Sequence, residues 1–365
     1  MQTIGYYISD YGYGHAARSI AIIRALLLRG PYRIVICSGK TLGFLKESLQ
    51  GMGWPGNLYF RECSSDLGYI LKPHSVEPDS DVFQQEYADY ISSMSMEIQR
   101  EADVISTEKM DLVISDVSPI PIASAELARV RSVIISNFTW YTAYRQLIDA
   151  NNLAPLSAAY SKTDFYIYLA GSEEPRWEKR IGIKAGFFCR TPNMEEVGRL
   201  RNVLNPDQKK LIVYFPLGMS IQAGSLDSFR MWQNDSCLFV VSANMTTSHR
   251  NAHKIPENYT ESQNYVAASD VIITKPGWGT VSEGIIFNKP LILLNRGLMN
   301  EDQNTISAIK GRHIFRLVKW DELKELPIQT ETTPKVLNTR IHGITENDRN
   351  LNKIVNFIQS ILQAF

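Results

Sequence analysis

The sequence has no excess of either charge and no long apolar run. Lysine plus arginine and aspartate plus glutamate both number 38, which leaves no broad basic face for nucleic acid. No apolar run approaches the roughly 20 residues of a membrane-spanning helix. The N-terminus also lacks the basic start and apolar core of a secretory signal. We therefore expect a cytoplasmic protein with no transmembrane segment and no nucleic-acid partner.

Cysteine is scarce, and no two of the four cysteines form a CxxC pair. Cys37 and Cys237 lie in apolar runs, which predicts small core residues in a reducing compartment. The sole Asp-x-Asp sequence is Asp79-Ser80-Asp81, in a polar stretch flanked by proline. A solvated loop or a helix N-cap explains it better than a manganese site. We expect no metal and no bound cofactor.

Short β-branched or aromatic runs alternate with helical patterns along the chain, which is typical of parallel α/β sheets. A length of 365 residues suggests two domains. The predicted strands are Thr3–Ser9, Arg33–Ser38, Leu58–Cys63, Leu112–Ser115, Val133–Ser136, Phe165–Leu169, Leu211–Phe215, Leu238–Val241, Val271–Thr274, Leu291–Leu294 and Ile314–Leu317. The predicted helices are Ala16–Leu28, Thr41–Leu49, Val82–Thr107, Pro121–Ala128, Trp140–Asp149, Val281–Phe287, Asp302–Lys310 and Asp348–Leu362.

The alternation breaks near Arg180–Met194, where periodic apolar residues are few. We predict a domain at 1–185, a linker at 186–200, a second domain at 201–345 and a C-terminal helix at 346–365. The expected fold class is α/β, with two Rossmann-like doubly wound domains facing across a cleft. Ligands of such sheets bind outside the carboxyl ends of the strands, so residues just after strands become the site candidates.

The first candidate segment is the loop Asp10–His15 after the first strand. Gly12 and Gly14 permit a tight turn and close approach of a ligand. His15 would stand at a helix start, where an imidazole could take a proton from a hydroxyl, and Arg18 could hold an anion. Alanine replaces the third glycine of a dinucleotide motif, and no Gly-Lys-Ser/Thr follows. The alternative is a glycine-rich turn with a capping histidine.

The second candidate segment runs from the strand Val271–Thr274 through Lys275-Pro276-Gly277-Trp278-Gly279-Thr280 into a helix. Thr280 can satisfy first-turn amides or bind phosphate oxygens. Glu283 could accept hydrogen bonds from both ribose hydroxyls. The alternative for Glu283 is a solvated carboxylate on the helix face.

A third group follows the strand Leu291–Leu294. Asp302 and Gln303 offer the acceptors and donors that sugar hydroxyls require. A helix N-cap is the alternative for Asp302. The second segment and these two residues each follow a predicted strand and occur in this order along the chain. Together they favour a ligand site.

These segments resemble the GT-B-fold glycosyltransferases of family 28, whose best-known member completes the lipid-linked peptidoglycan precursor. Gly12–His15, Asp270–Glu283 and Glu301–Asn304 carry the resemblance, which extends over nearly the whole chain. It implies a nucleotide-sugar donor, most often UDP-linked, and an acceptor that is a small molecule or lipid-linked.

The resemblance also implies a role for each matching residue. His15 would lie near the acceptor hydroxyl and the donor diphosphate, with Gly14 and Arg18 on the donor side. Donor-binding roles would fall on Gly218, Ser220, Gly277, Gly279, Thr280, Glu283, Asp302 and Gln303. The loop with Gly218 and Ser220 departs from the usual glycine- and serine-rich form. Recognition of the base would involve backbone groups near Tyr259–Tyr265.

Two other groups share part of this pattern. Asp10–Arg18 resembles the UDP-sugar hydrolase of pseudaminic acid biosynthesis, for which the acceptor is water. Tyr6–Arg18 and Ile135–Trp140 resemble the glycosyltransferase-like half of L-arabinokinase proteins. Asp116 fits that half and could orient His15; a helix N-cap is its alternative.

The sequence thus predicts an inverting glycosyltransferase that needs no metal. His15, supported by Asp116, would remove a proton from the acceptor hydroxyl. Three alternatives stay open: a nucleotide-sugar hydrolase, a non-catalytic nucleotide-sugar-binding module and a nucleotide-sugar 2-epimerase. The epimerase would require further catalytic carboxylates, which the sequence does not identify.

Overall fold

A computed structural model describes residues 1–53, 56–72, 77–216, 228–245, 247, 249–297, 299–328 and 342–364. The described residues form two compact units. The first comprises Met1–Ile70, Pro78–Gly186 and Arg349–Phe365, and the second comprises Leu71–Glu77 and Phe187–Asp348.

The described part of the first unit contains a seven-stranded parallel sheet in the order β3-β2-β1-β4-β5-β6-β7. Its strands are β1 (Thr3–Ile8), β2 (Arg33–Ser38), β3 (Leu58–Glu62), β4 (Leu112–Asp116), β5 (Arg131–Ser136), β6 (Phe165–Tyr168) and β7 (Gly182–Lys184). All of β1 and β4 is buried, as expected for central strands covered on both faces. β1 and β4 are neighbours in which Ile8 pairs with Asp116, so their carboxyl ends lie side by side.

Helices connect these strands. They are α1 (Tyr13–Leu27), α2 (Leu42–Leu49), α3 (Ser80–Thr107), α4 (Pro119–Leu127), α5 (Trp140–Ala143) and α6 (Ala154–Tyr160). Asp79 caps α3 by accepting a hydrogen bond from the Val82 amide. This confirms the N-cap interpretation of Asp79.

Among the residues that the structure describes, no three His, Cys, Asp or Glu side chains are placed to hold a metal ion.

The described part of the second unit contains a six-stranded parallel sheet in the order β10-β9-β8-β11-β12-β13. Its strands are β8 (Leu211–Phe215), β9 (Cys237–Val241), β10 (Ala252–Lys254), β11 (Val271–Thr274), β12 (Leu291–Leu294) and β13 (Phe315–Val318). Its helices are α7 (Met194–Leu204), α8 (Gln263–Ala268), α9 (Trp278–Ile286), α10 (Asn300–Ile309) and α11 (Trp320–Glu325). The C-terminal helix α12 (His342–Gln363) begins in this unit, and most of it belongs to the first unit.

Gly284 fixes how closely α9 packs on this sheet. A Cβ atom at this position would come within 2.6 Å of a Leu291 methyl carbon and 3.2 Å of an Ile272 methyl carbon. A larger residue would fit only if the Leu291 side chain moved.

The predicted α/β class is confirmed, and each predicted strand lies within two residues of an observed one. The predicted helix Trp140–Asp149 is shorter: α5 ends at Ala143 and a 3-10 turn follows at Tyr144–Gln146. The second half of the predicted linker 186–200 belongs to α7.

The four cysteines are buried and form no disulfide, which confirms the prediction that Cys37 and Cys237 are core residues. No helix among the described residues is both long and apolar enough to span a bilayer.

Candidate functional site

His15 and Asp116 meet at the adjoining ends of β1 and β4. His15 is the third residue of α1, which begins at Tyr13 rather than at the predicted Ala16. Its Nδ1 lies 2.7 Å from Asp116 Oδ1. Both residues are buried, with 7% and 1% of their surface exposed. The structure therefore brings together the two residues predicted as catalytic.

Asp116 is surrounded by donors. Arg18 donates from Nε to Oδ2 at 2.7 Å and from Nη2 to Oδ1, and the Ser19 hydroxyl donates to Oδ2 at 3.1 Å. Burial acts to raise the pKa of Asp116, but the charge of Arg18 and the hydrogen bonds from Arg18 and His15 outweigh it and lower the pKa to about 2. Asp116 is accordingly a carboxylate at neutral pH.

The ionised Asp116 fixes the tautomer of His15. A carboxylate only accepts hydrogen bonds, so the 2.7 Å contact requires a proton on Nδ1 of the neutral imidazole. No described residue hydrogen-bonds Nε2, which is left as the proton acceptor. The His15–Asp116 pair thus has the arrangement of a general base and its orienting carboxylate.

Arg18 has a different environment from the one predicted. Its guanidinium is 3% exposed and also donates to Asn137 Oδ1 at 2.9 Å and to Ser136 Oγ at 3.3 Å. The Arg18 side chain neutralises Asp116 rather than extending into solvent. Its predicted role in binding an anion of the donor stays a prediction that this geometry does not favour.

The N-cap alternative for Asp116 is wrong, because Ser118 is the N-cap of α4.

Asp66 is a buried carboxyl group that the sequence did not single out. Its Oδ2 accepts hydrogen bonds from Trp140 Nε1 at 2.8 Å and from Ser118 Oγ at 2.9 Å. Burial raises the pKa of Asp66, and the charge of His15 is among the influences that oppose the shift. Rings of Tyr11, Tyr69 and Trp140 pack against one another beside it. Loop residues such as Asp66 have no periodicity, so no sequence signal marks them.

An open groove of about 800 Å³ lies elsewhere in the first unit, between α3 and the segment after α5. Its lining mixes apolar and polar side chains, including Tyr87, Ile91, Arg145, Ile148 and Asn151. A pocket of this size accommodates a small organic molecule.

In the second unit, α9 begins at Trp278, three residues before the predicted start. Gly277 is the N-cap, and Gly279 and Thr280 lie half-buried in the first turn. The amides of a first turn have no carbonyl partner within the helix, so this end favours a negatively charged ligand. Lys275, directly before the turn, adds a positive charge. Burial is the main cause that lowers the pKa of Lys275 to about 8.

Glu283 lies on α9 and is 6% exposed, so the solvated-carboxylate alternative is wrong. Its Oε1 lies 3.7 Å from Arg190 Nη2. Burial raises the pKa of Glu283 from its ordinary value of 4.5 to about 7, and Arg190 opposes the shift. Arg190 was missed from the sequence, because it lies outside every predicted strand and helix.

The raised pKa predicts a specific pH dependence of stability. Because the folded state retains this proton up to a pH of about 7, the stability it contributes is present at low pH and lost as the pH rises from 4.5 to 7. Between about pH 5 and about pH 8, the unfolding free energy of the wild type should fall by roughly 2–3 kcal/mol relative to Glu283→Gln. Urea unfolding measures this, with the exposed Glu257→Gln as control. Parallel curves for wild type and Glu283→Gln would contradict the assignment.

Asp302 does not cap α10, whose N-cap is Met299. Its two carboxylate oxygens each accept a 2.6 Å hydrogen bond from Arg296, which also donates to Glu301 at 3.3 Å. Asp302 and the Arg296 side chain are both 0% exposed. The N-cap alternative for Asp302 is therefore wrong, and in this structure the carboxylate binds Arg296 instead of facing solvent. Its contact with a donor sugar stays a prediction.

The other predicted donor-binding residues are exposed or lie outside the residues that the structure describes. Gln303 is exposed, and its Nε2 donates to the Gly297 carbonyl at 3.5 Å. Gly14, in the first turn of α1, is exposed too. Gly218 and Ser220 lie outside the described residues.

Comparison with known protein families finds none whose sequence profile matches this chain. One curated protein, the L-arabinokinase of Arabidopsis thaliana, is 25% identical over 309 residues. The alignment covers 81% of this chain, which spans only 28% of the length of that protein.

Solved structures match the full length of the chain. Arabidopsis thaliana UGT89C1 has a TM-score of 0.66 at 11% identity, with 99% of each chain covered. The calicheamicin glycosyltransferase CalG4 has a TM-score of 0.62 at 13% identity, covering 99% of this chain and 98% of its own. The glycosyltransferase SnogD of Streptomyces nogalater has a TM-score of 0.61 at 12% identity, covering 99% and 100%. The chain has the GT-B fold of these glycosyltransferases.

Proposed function

We propose that the chain transfers a sugar from a nucleoside diphosphate to an acceptor hydroxyl. The observation that carries this proposal is the buried His15–Asp116 pair at the strand ends of a GT-B fold. With Nδ1 protonated and held by Asp116, Nε2 removes the proton of the acceptor hydroxyl as its oxygen attacks the anomeric carbon. The bond between that carbon and the diphosphate breaks, and the nucleoside diphosphate leaves with the electron pair.

Groups for the donor come from the second unit. The first-turn amides of Gly279 and Thr280, with Lys275 before them, stabilise charge on the leaving diphosphate. Glu283 accepts the ribose hydroxyls. Gln303, the exposed polar residue after β12, contacts the donor sugar, whereas Asp302 contacts it only after some release from Arg296.

We further propose a UDP-linked donor, inversion at the anomeric carbon, membership of family 28 and catalysis without metal in the cytoplasm. UGT89C1 was solved in complex with UDP-L-rhamnose and with quercetin, which supports a UDP donor and a small hydroxyl-bearing acceptor here. The similarity to L-arabinokinase supports a link with sugar chemistry, although this chain matches only part of that protein.

The donor part of the proposal is tested by isothermal titration of the purified chain with UDP, TDP and GDP. We expect one diphosphate to bind, and Glu283→Gln to weaken its binding roughly 10- to 100-fold through loss of charged hydrogen bonds to the ribose.

Glu257→Gln, a change at an exposed carboxylate, is the matched control and should bind like the wild type. Absence of binding to all three diphosphates would refute the proposal. Binding that Glu283→Gln does not weaken would refute the role of Glu283 alone.

A further inference from the structure

Arg190 is a buried arginine for which neither the motifs nor the proposed chemistry gives a role. It is 2% exposed and lies between Phe188 and the start of α7. A guanidinium at such depth is costly unless its charge and its donors are matched. The groups that match its charge and its donors therefore indicate the role of Arg190.

Those contacts join two parts of the second unit that are distant in sequence. Nη1 donates to the Thr260 carbonyl at 2.6 Å, and Nη2 donates to the Ser262 hydroxyl at 3.0 Å. Nη2 is also 3.7 Å from Glu283 Oε1, and Nη1 is 3.8 Å from Glu261 Oε1. One side chain thus connects the loop that precedes α8 with the carboxylate on α9.

The charges around Glu283 come from several elements. Arg190 is the cation beside it, and Glu261 is a like charge on the loop. The hydroxyl of Tyr214, on β8, and the thiol of Cys189 also face this carboxylate. Among these groups only Arg190 favours the ionised form of Glu283, which is the form that accepts two hydrogen bonds from a diol.

We infer that Arg190 is the positioning residue of a subsite for ribonucleosides, orienting Glu283 for the 2′- and 3′-hydroxyls and fixing the loop 259–265 for the base. The inference rests on the proposed function and deepens it, since it restricts the ligand to a nucleotide with a ribose rather than a deoxyribose. Arg190 does not contact the reacting atoms, so it should govern donor binding and leave the chemical step unchanged.

The test compares binding of UDP and 2′-deoxy-UDP to the wild type, Arg190→Met and Arg190→Lys, across a pH range. Arg190→Met should weaken UDP binding roughly 10- to 100-fold and remove most of the preference for UDP over 2′-deoxy-UDP. Binding to this variant should recover as the pH rises and Glu283 ionises. Arg190→Lys keeps a charge but loses the forked contacts, so its binding should weaken less and keep the wild-type pH profile.

Two further results separate positioning from general structural support. Added to Glu283→Gln, Arg190→Met should weaken UDP binding less than it does alone, because Glu283→Gln has already removed the contact with the ribose and only the hold on the loop 259–265 is left to lose. In a turnover assay, Arg190→Lys should raise KM for the donor and leave kcat within about twofold. Arg201→Met, a change in a partly exposed pair of the same unit, is the control and should bind UDP normally.

Four outcomes would overturn the inference. UDP binding that neither Arg190→Lys nor Arg190→Met alters would exclude the positioning role of Arg190. Fully additive weakening of UDP binding in Arg190→Met/Glu283→Gln would exclude it too. If the wild type binds UDP and 2′-deoxy-UDP equally, the ribose subsite is excluded and the proposed function is unaffected. Wild type that binds no nucleoside diphosphate refutes both. If Arg190→Met does not fold, Arg190→Lys and Ser262→Ala still decide the matter, since the first keeps the positive charge and the second removes one described contact of Arg190.

Discussion

Replacing His15 with glutamine should lower kcat by about 10²- to 10⁴-fold, the usual contribution of a general base. Glutamine can still donate a hydrogen bond to Asp116, so the fold of the site should persist while the proton acceptor is lost. Binding of the nucleoside diphosphate should be unchanged, because its contacts are assigned to the second unit. Turnover is measured as acceptor-dependent release of the diphosphate, and binding by titration.

His253→Gln is the matched control, since His253 lies on β10 of the second unit and has no assigned role. It should retain wild-type turnover. Full turnover by His15→Gln would show that another group removes the proton. In that event Asp66, the second buried carboxyl group near His15, would be the next residue to replace.

Replacing Arg296 with methionine should lower the free energy of unfolding by about 3–5 kcal/mol. The change would leave Asp302 buried without the guanidinium that binds both of its oxygens. Lys275 lies close enough to influence these charges, but its ammonium cannot reproduce the planar, two-pronged contact. Denaturant unfolding with an unchanged m-value would measure the effect.

Arg250→Met is the control for this prediction, because Arg250 and Asp235 form an ion pair whose side chains are 81% and 70% exposed. A pair in solvent contributes under about 1 kcal/mol. The double variant Arg296→Met/Asp302→Leu should regain part of the lost stability, since it removes the more deeply buried of the two carboxylates that Arg296 contacts. If Arg296→Met were no more destabilising than Arg250→Met, the buried pair would not describe the protein in solution, and Asp302 would be free to bind the donor.

The sequence predicted the features that depend on local pattern and on topology. Continuous apolar runs located the strands, since residues covered on both faces cannot alternate with polar ones. Asp116 was identified by the resemblance to L-arabinokinase proteins and by its place at the end of a predicted strand. Its proximity to His15 arises because β1 and β4 are neighbours in the sheet. Glu283 was identified by its place one turn into a helix that follows a strand and a glycine-rich turn.

The sequence did not predict the partners that set the charge of these residues. Arg190 contacts Glu283 across 93 positions of sequence, and no periodicity connects two such positions. Arg296 lies in a loop, where side-chain direction depends on tertiary packing. β7 and β10 are three residues each, too short for a pattern. The helix predicted over Trp140–Asp149 ends early because Trp140 and Tyr144 pack into a buried aromatic cluster and a 3-10 turn follows.

The central claim is most directly tested by incubating the purified chain with a panel of UDP-sugars, with and without a panel of hydroxyl-bearing small molecules, and measuring the UDP released. We predict that one UDP-sugar releases UDP at a sustained rate only when an acceptor is present, and that His15→Gln abolishes this release. Steady release with water alone would contradict transfer and assign the site to hydrolysis. Absence of release from every donor and acceptor pair, by a chain that still binds UDP, would identify a binding module without catalysis.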